Sequence, residues 1–274
     1  VLKLLVILKD GIRDLLKAAA MPRAMAIGRY TQIIRRLEEV GRRSGVRLSV
    51  VDVLRRSGYA LPVFALECGP ADGPRLVISA GIHGDEPGGV EALLTFLERP
   101  ALPQDVGITA LPCINPIGLV AGTRVNDLGI DLNRTFGLER APYEAELVRW
   151  TLDGRRFDCG IDLHEDTEAR GFYVYEHVRD GRAPWCSAIV AAVRAIGLPI
   201  SDAPTVEGRA LIDGCVEPAE ETLSPLVGFF SIYLFERHSE RSLVPESPAQ
   251  LPMQARVAMH HATIDMAIAE VRSA

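Results

Sequence analysis

The chain has 274 residues, 48% of them apolar and 24% charged, and carries a net charge of −6. These values suit a globular protein with enough chain for one large α/β domain or two small ones. The acidic balance argues against nucleic acid as the main partner, and no apolar run approaches the roughly 18 residues of a membrane span.

At the start, Val1 to Leu8 is apolar, but Lys9-Asp10-Gly11 cuts the run short. Charged Arg13, Asp14 and Lys17 follow, so a secretory leader is not expected. Residues 1–25 are expected to form a peripheral extension and 26–274 a single domain. The five cysteines (Cys68, Cys113, Cys159, Cys186, Cys215) are odd in number, scattered and without Cys-x-x-Cys spacing. They predict buried free thiols in a reducing, cytoplasmic setting, and no thiolate metal site.

Helical spacing of Tyr30, Ile33, Ile34, Leu37 and Val40 predicts a helix over 29–43. Strands are expected at 48–54 and 59–66, joined by Arg55-Arg56-Ser57-Gly58 as a hairpin. Leu76 to Ala80 is a strand that runs into Gly81-Ile82-His83-Gly84-Asp85-Glu86-Pro87-Gly88, and a helix follows to Arg99. A strand over 106–112 precedes Asn115. Residues 119–140 lack periodicity and form a long functional loop. Then come a helix over 142–152, a strand over 157–163 ending at His164, and a short strand over 172–175. A helix over 183–196 follows, then an irregular stretch over 200–225. A strand over 229–235 ends at Glu236, and a last helix spans 250–271. Alternating strands and helices, with several strands apolar throughout, predict an α/β fold. Its central sheet is mixed and mostly parallel, with helices on both faces.

In such sheets ligands collect at the carboxyl ends of strands. His83, Asn115, His164 and Glu236 each follow a predicted strand, although they are far apart in sequence. His83 and Glu86 can grip one metal ion if a third ligand arrives, and His164 is the natural candidate. Alone, this His-x-x-Glu equally describes a capped helix start, with Pro87 at the first helical position. His238, close to Glu236, is a weaker candidate for a substrate contact.

Five segments, in order, make the reading specific: His83-Gly84-Asp85-Glu86, Gly122-Thr123-Arg124, Asp131-Leu132-Asn133-Arg134-Thr135-Phe136, Asp162-Leu163-His164 and Phe235-Glu236. Together they resemble the zinc carboxypeptidase family of the carboxypeptidase A type. Its superfamily also holds the succinylglutamate desuccinylase and aspartoacylase enzymes. The resemblance runs from about Tyr30 to Val271. It implies one zinc ion per chain, held by His83, Glu86 and His164, with Asp131 orienting the first histidine. It implies Glu236 as general base, Arg124 as the cation at the scissile carbonyl, and Asn133 and Arg134 as the pair that binds a substrate carboxylate.

The long lead before His83 and the short tail after Glu236 look more like the peptidases, in particular the small bacterial murein-peptide amidases, than like the deacylases. The expected activity is therefore hydrolysis of an amide bond next to a carboxylate-bearing residue of a small peptide. N-acyl-amino-acid deacylation is the alternative. The usual tyrosine is unassigned, because Tyr233 lies inside a predicted strand. Asp213, Glu217, Glu220 and Glu221 are candidates for selecting a basic side chain.

Overall fold

The computed structural model describes residues 24–179, 181–217 and 228–273. The expected extension over 1–25 therefore lies almost wholly outside the described residues, as do Glu220 and Glu221. Helix α1 (Ala24–Gly41) leads into a hairpin of β1 (Val46–Arg56) and β2 (Tyr59–Cys68). The two turn residues of the hairpin, Ser57 and Gly58, both have positive φ, as a turn matched to strand twist requires.

The centre of the molecule is parallel. β3 (Arg75–Ala80) lies between β4 (Gly107–Leu111) and β5 (Cys159–Asp166), and all three run the same way. Their residues are buried almost throughout, which explains why these segments do not alternate in sequence. A fourth parallel strand, β10 (Arg241–Pro248), pairs with β5 and on its other side runs antiparallel to β6 (Tyr173–Val178). Among the described residues the sheet order is β1-β2-β4-β3-β5-β10-β6-β9-β8-β7, where β7, β8 and β9 are Thr205–Val206, Arg209–Ile212 and Cys215–Val216. Antiparallel pairs dominate both flanks, so the expected parallel character belongs to the four central strands.

Helices cover both faces. On one face α1, α2 (Pro87–Leu97), α5 (Cys186–Ala195) and α7 (Met253–Ser273) bury Leu37, Leu93, Phe96, Val193 and Ile264 against the sheet. On the other, α4 (Tyr143–Leu152) and α6 (Phe230–Arg237) bury Val148, Leu152, Phe230 and Leu234 against Val77 and Leu111. A short α3 (Pro116–Ala121) follows β4.

One sequence expectation is corrected here. Residues 230–235 lie in helix α6, with Phe229 as its N-cap, and the strand of this region is β10, which begins only at Arg241. A short run that is apolar throughout suits a buried helix as well as a buried strand. Pro245 and Pro248 disguise β10, because proline is normally kept out of central strands.

A buried ion pair fixes β10 to its neighbours. Arg241 pairs with Glu176 of β6, donates to the carbonyl of Ala183 at 2.7 Å and lies 3.9 Å over the Trp185 ring. Glu176 also accepts the backbone N–H groups of Trp185 and Cys186 at 2.9 Å and so caps α5.

The cysteine expectation needs a second correction. Cys186, at the start of α5, is disulfide-bonded to Cys215 of β9, and Cys68, Cys113 and Cys159 are free and buried. The partners are 29 residues apart, and no spacing rule brings them together; the packing of α5 beside β6 and β9 does. A reducing compartment is not the natural setting for this pair. No helix among the described residues is long and apolar enough to cross a membrane.

Thiol titration of the denatured, unreduced protein should find three free thiols. The Cys186→Ser/Cys215→Ser double variant should lose about 3–4 kcal/mol of stability in denaturant unfolding, the loop-closure entropy of a crosslink of this span.

Candidate active site

The loop after β3 is shaped by contacts that admit only particular residues. Glu86 occupies the N-cap position of α2 and Pro87 its first turn, yet the Glu86 side chain makes no capping bond. Glu165 of β5 caps instead: its carboxylate accepts the N–H of Gly88 at 2.7 Å and is held by Arg256 at 2.6 Å. A Cβ at Gly88 would meet that carboxylate at 2.2 Å. Gly84 donates its N–H to the carbonyl of Thr123 at 3.0 Å, and a Cβ there would fall 1.9 Å from the backbone of Gly118. Asn115 is buried beneath the loop. It caps α3 by accepting from the N–H of Gly118 and donates to the carbonyl of Ile82, so its role is a brace.

Freed from capping, the Glu86 carboxylate lies between two imidazoles. Its Oε1 is 2.6 Å from Nδ1 of His83, and its Oε2 is 2.8 Å from Nδ1 of His164. The far nitrogen of each ring faces another carboxylate: His83 Nε2 is 3.1 Å from Asp131, and His164 Nε2 is 2.9 Å from Asp162. Asp162 is in turn fixed by the hydroxyl of Ser79 at 2.7 Å. With both Nε2 atoms so engaged, two Nδ1 atoms and one carboxylate converge. One ligand atom from each of His83, Glu86 and His164 lies within 4.8 Å of the others, and all three residues are buried.

The electrostatics favour a cation at this point. Three carboxylates surround two imidazoles in a place poorly reached by water. Burial alone would push the Glu86 carboxyl up, but His164 and His83 outweigh it and hold it well below the ordinary carboxylate range. Burial opposes charge on His164, yet Asp162 and Glu86 raise its basicity well above that of a free imidazole. A divalent ion would compensate the excess negative charge, and the donor set of two nitrogens and a carboxylate is one that zinc accepts. The residues present therefore fit the metal that the sequence resemblance implies.

Around this cluster opens a cavity of about 750 Å³. Arg124 reaches it from the loop after α3, bonded to Asp131 at 3.1 Å and to Glu86 at 3.3 Å. That loop is tied down by Asn126, which accepts two backbone N–H groups, and by Arg56, which pairs with Asp127 and Glu144. Asn133 and Arg134 lie on a 3-10 turn opened by Asp131 and also line the cavity. The Asn133 side-chain Oδ1 accepts from the N–H of Phe230 at 2.8 Å, and the Arg134 guanidinium lies 3.9 Å over the Phe229 ring.

Glu236 is not in this assembly. It sits in the last turn of α6, is exposed, and does not line the cavity. Among the carboxylates that do line it, Glu246 of β10 is paired in register with His164 of β5. Burial pushes the Glu246 carboxyl well above its ordinary value. The sequence expectation failed because it took α6 for the strand that ends in the site. His238 also lies elsewhere, bonded through Nδ1 to the carbonyl of Arg155. Tyr233 packs against Phe136 and His238, and Asp213 pairs with Arg194; neither lines the cavity, nor does Glu217.

Sequence reasoning also passed over Asp162, although Asp162 and His164 share one face of a strand by their spacing of two. It missed Tyr173 and Tyr175 of β6 and Glu207 of the β7–β8 turn, which form the far wall of the cavity. Nothing in the sequence alone marks them.

Relatives with this architecture are known. The chain superposes on a predicted metallopeptidase from Shewanella amazonensis SB2B with a TM-score of 0.71 at 23% identity, over 89% of this chain and 93% of that one. It superposes on the carboxypeptidase A of Helicoverpa armigera with a TM-score of 0.64 at 15% identity, over 89% and 74%. In sequence, the family model of the succinylglutamate desuccinylase/aspartoacylase catalytic domain matches residues 72–205. A curated protein of Prochlorococcus marinus (strain MIT 9313), named "Probable aspartoacylase", is 30% identical over 142 residues, 47% of this chain and 45% of that protein. The match thus spans under half the length of the curated relative. The chain thus shares its fold with these solved structures, and residues 72–205, just under half of it, are similar to the succinylglutamate desuccinylase/aspartoacylase catalytic domain.

Gly84→Ala should displace His83 and abolish metal retention while the protein stays folded, as metal analysis beside circular dichroism would read. Asp162→Asn should weaken metal affinity by about 10–100-fold, the usual cost of removing the group that orients a ligand histidine.

Proposed function

We propose that the chain is a zinc-dependent hydrolase that cleaves an amide bond adjacent to a carboxylate-bearing residue. The observation that carries this reading is the buried Glu86 carboxylate facing the Nδ1 atoms of two histidines whose Nε2 atoms are each held by an acid. His83, Glu86 and His164 would hold the ion. When bound, zinc supplies a Lewis acid that polarises an amide carbonyl and acidifies water.

The remaining roles belong to the chain itself. Glu246, whose pKa is raised by burial, suits a general base that takes a proton from water and later gives it to the leaving amine. It replaces Glu236 in that role. Arg124 stands against the ligand carboxylate, where its guanidinium can stabilise negative charge growing on the carbonyl oxygen. One such donor is typically worth about 3 kcal/mol in the transition state. Arg134 is in no ion pair among the described residues; Nη1 donates to the Asn133 backbone carbonyl, and its remaining N–H groups can serve a substrate carboxylate. The Asn133 side-chain Oδ1 is already used, and its amide NH2 stays available beside Arg134.

N-acyl-amino-acid deacylation is the second reading on the same chemistry, and the sequence match to the desuccinylase/aspartoacylase domain favours it. The peptidase reading draws support from the fold, which overlays nearly the whole of a predicted metallopeptidase. Short peptides assayed beside succinyl- and acetyl-amino acids separate the two.

Glu246→Gln should lower kcat by at least a thousandfold with its zinc content intact, and Glu236→Gln should stay near wild type. His83→Ala should lose both zinc and activity. Full activity in Glu246→Gln, or zinc retained in His83→Ala, would refute the assignment.

A further inference from the structure

The far wall of the cavity has a chemistry of its own. Along the sheet the order is β4, β3, β5, β10, β6, β9, β8. Arg124 and Arg134 come from the loop after β4 and α3, the metal-ligand cluster sits on β3 and β5, Glu246 is on β10, and the wall is built on β6 and β8. At about 4.8 Å per strand, the β6 side chains lie roughly 10 Å across the sheet from β5, within reach of a long side chain or of the next residue of a substrate.

Each tyrosine on this wall has spent its only proton. The Tyr173 hydroxyl donates to Asp166 at 2.7 Å, and the Tyr175 hydroxyl donates to Glu207 at 3.1 Å. A phenol has one O–H, so both oxygens can offer only lone pairs to the cavity. Glu207 adds a carboxylate acceptor, and Glu246 faces Tyr173 across the β10–β6 pair. Asp166 adds its negative charge, its Oδ1 already accepting the N–H groups of Glu168 and Ala169 and its Oδ2 the Tyr173 hydroxyl. Among the described residues none of these three acids is in an ion pair. Glu207 is held at φ of 49° in the β7–β8 turn, a conformation uncommon outside glycine and asparagine, which carries its side chain over Tyr175.

One cation shares the wall and offsets part of its negative charge, with its donors turned to a backbone carbonyl. Arg209 donates from Nε and Nη2 to the carbonyl of Glu217 and lies 5.3 Å over the Tyr175 ring. His177 is neutral near pH 7, because burial and then Arg209 depress it to about 4. The wall is thus rich in acceptors and poor in free donors, opposite to the arginine side of the same cavity.

Building on the hydrolase reading above, we propose that this wall is a subsite for a cationic arm of the substrate, a primary ammonium or guanidinium group, with Glu207 and Asp166 as the residues that select it. The substrate then bears a carboxylate toward Arg134 and a positive charge toward β6. Anionic acyl groups are disfavoured there.

Six dipeptides test this on the zinc-loaded protein: alanyl-lysine, alanyl-norleucine and alanyl-glutamate, with lysyl-alanine, norleucyl-alanine and glutamyl-alanine. The expected result is a lysine-over-norleucine preference of at least tenfold in kcat/KM in one of the two positions. That ratio should fall at least fivefold in both Glu207→Gln and Asp166→Asn. Calorimetric binding of the same peptides to Glu246→Gln should give the same order, and a fall of the same size on adding Glu207→Gln. Norleucine or glutamate equal to lysine in both positions, a ratio unchanged in Glu207→Gln, or binding of none of the six would overturn the subsite. Lysine-selective binding without hydrolysis of any peptide would sink the hydrolase reading and leave the subsite standing. Hydrolysis without selectivity would do the reverse.

Discussion

The structure depends on one arrangement: a single carboxylate, Glu86, shared by His83 of the loop after β3 and His164 of β5. A carboxylate buried this deeply is costly unless charge and hydrogen bonds compensate it. Compensation dictates much of the neighbourhood. Because Glu86 faces the imidazoles, it cannot cap α2, and Glu165 reaches over from β5 to do so. Because Glu165 must reach Gly88, position 88 tolerates no side chain. Because both imidazoles must turn Nδ1 inward, each needs an acid behind it, and Asp131 and Asp162 provide one each. The backbone N–H of Glu165 completes the set by donating to Glu86 at 3.1 Å.

Much of this was legible in the sequence. The apolar runs before His83 and His164 mark central strands, and the His-x-x-Glu between a strand and a proline marks a loop with two inward groups. The elements from α1 to β6 follow the sequence reading apart from the short helix α3, which the sequence reading did not foresee. The reading failed where local chemistry is ambiguous. Phe229 to Phe235 is apolar at every position but Ser231, so its period decides nothing, and tertiary packing makes it a helix. β10 hides behind two prolines, and with it hides Glu246. The Cys186–Cys215 bond comes from packing a helix beside β9, and the tyrosine–carboxylate pairs of the far wall from contacts between separate segments, which local sequence does not encode.

The sequence likeness to the desuccinylase/aspartoacylase domain ends at residue 205. It takes in His83, Glu86, Arg124, Asp131 and His164 but stops short of Glu246. The His83–Glu86–His164 cluster thus lies within the stretch that matches. Glu246 is found only by following which strand lies next to β5. The arginine loop and the base approach the cluster from opposite sides, one from beyond β4 and the other from β10, and only the completed sheet brings them to one cavity.

The two halves of that cavity are also built differently. The metal cluster rests on central strands with neighbours on both sides and helices packed on both faces. The β7–β9 strip is two- and four-residue strands, joined to β6 through the single register pair Val174–Cys215 and pinned by the disulfide at Cys215. Substitutions or insertions between Pro199 and Glu217 can therefore reshape one side of the cavity while the central strands keep their packing.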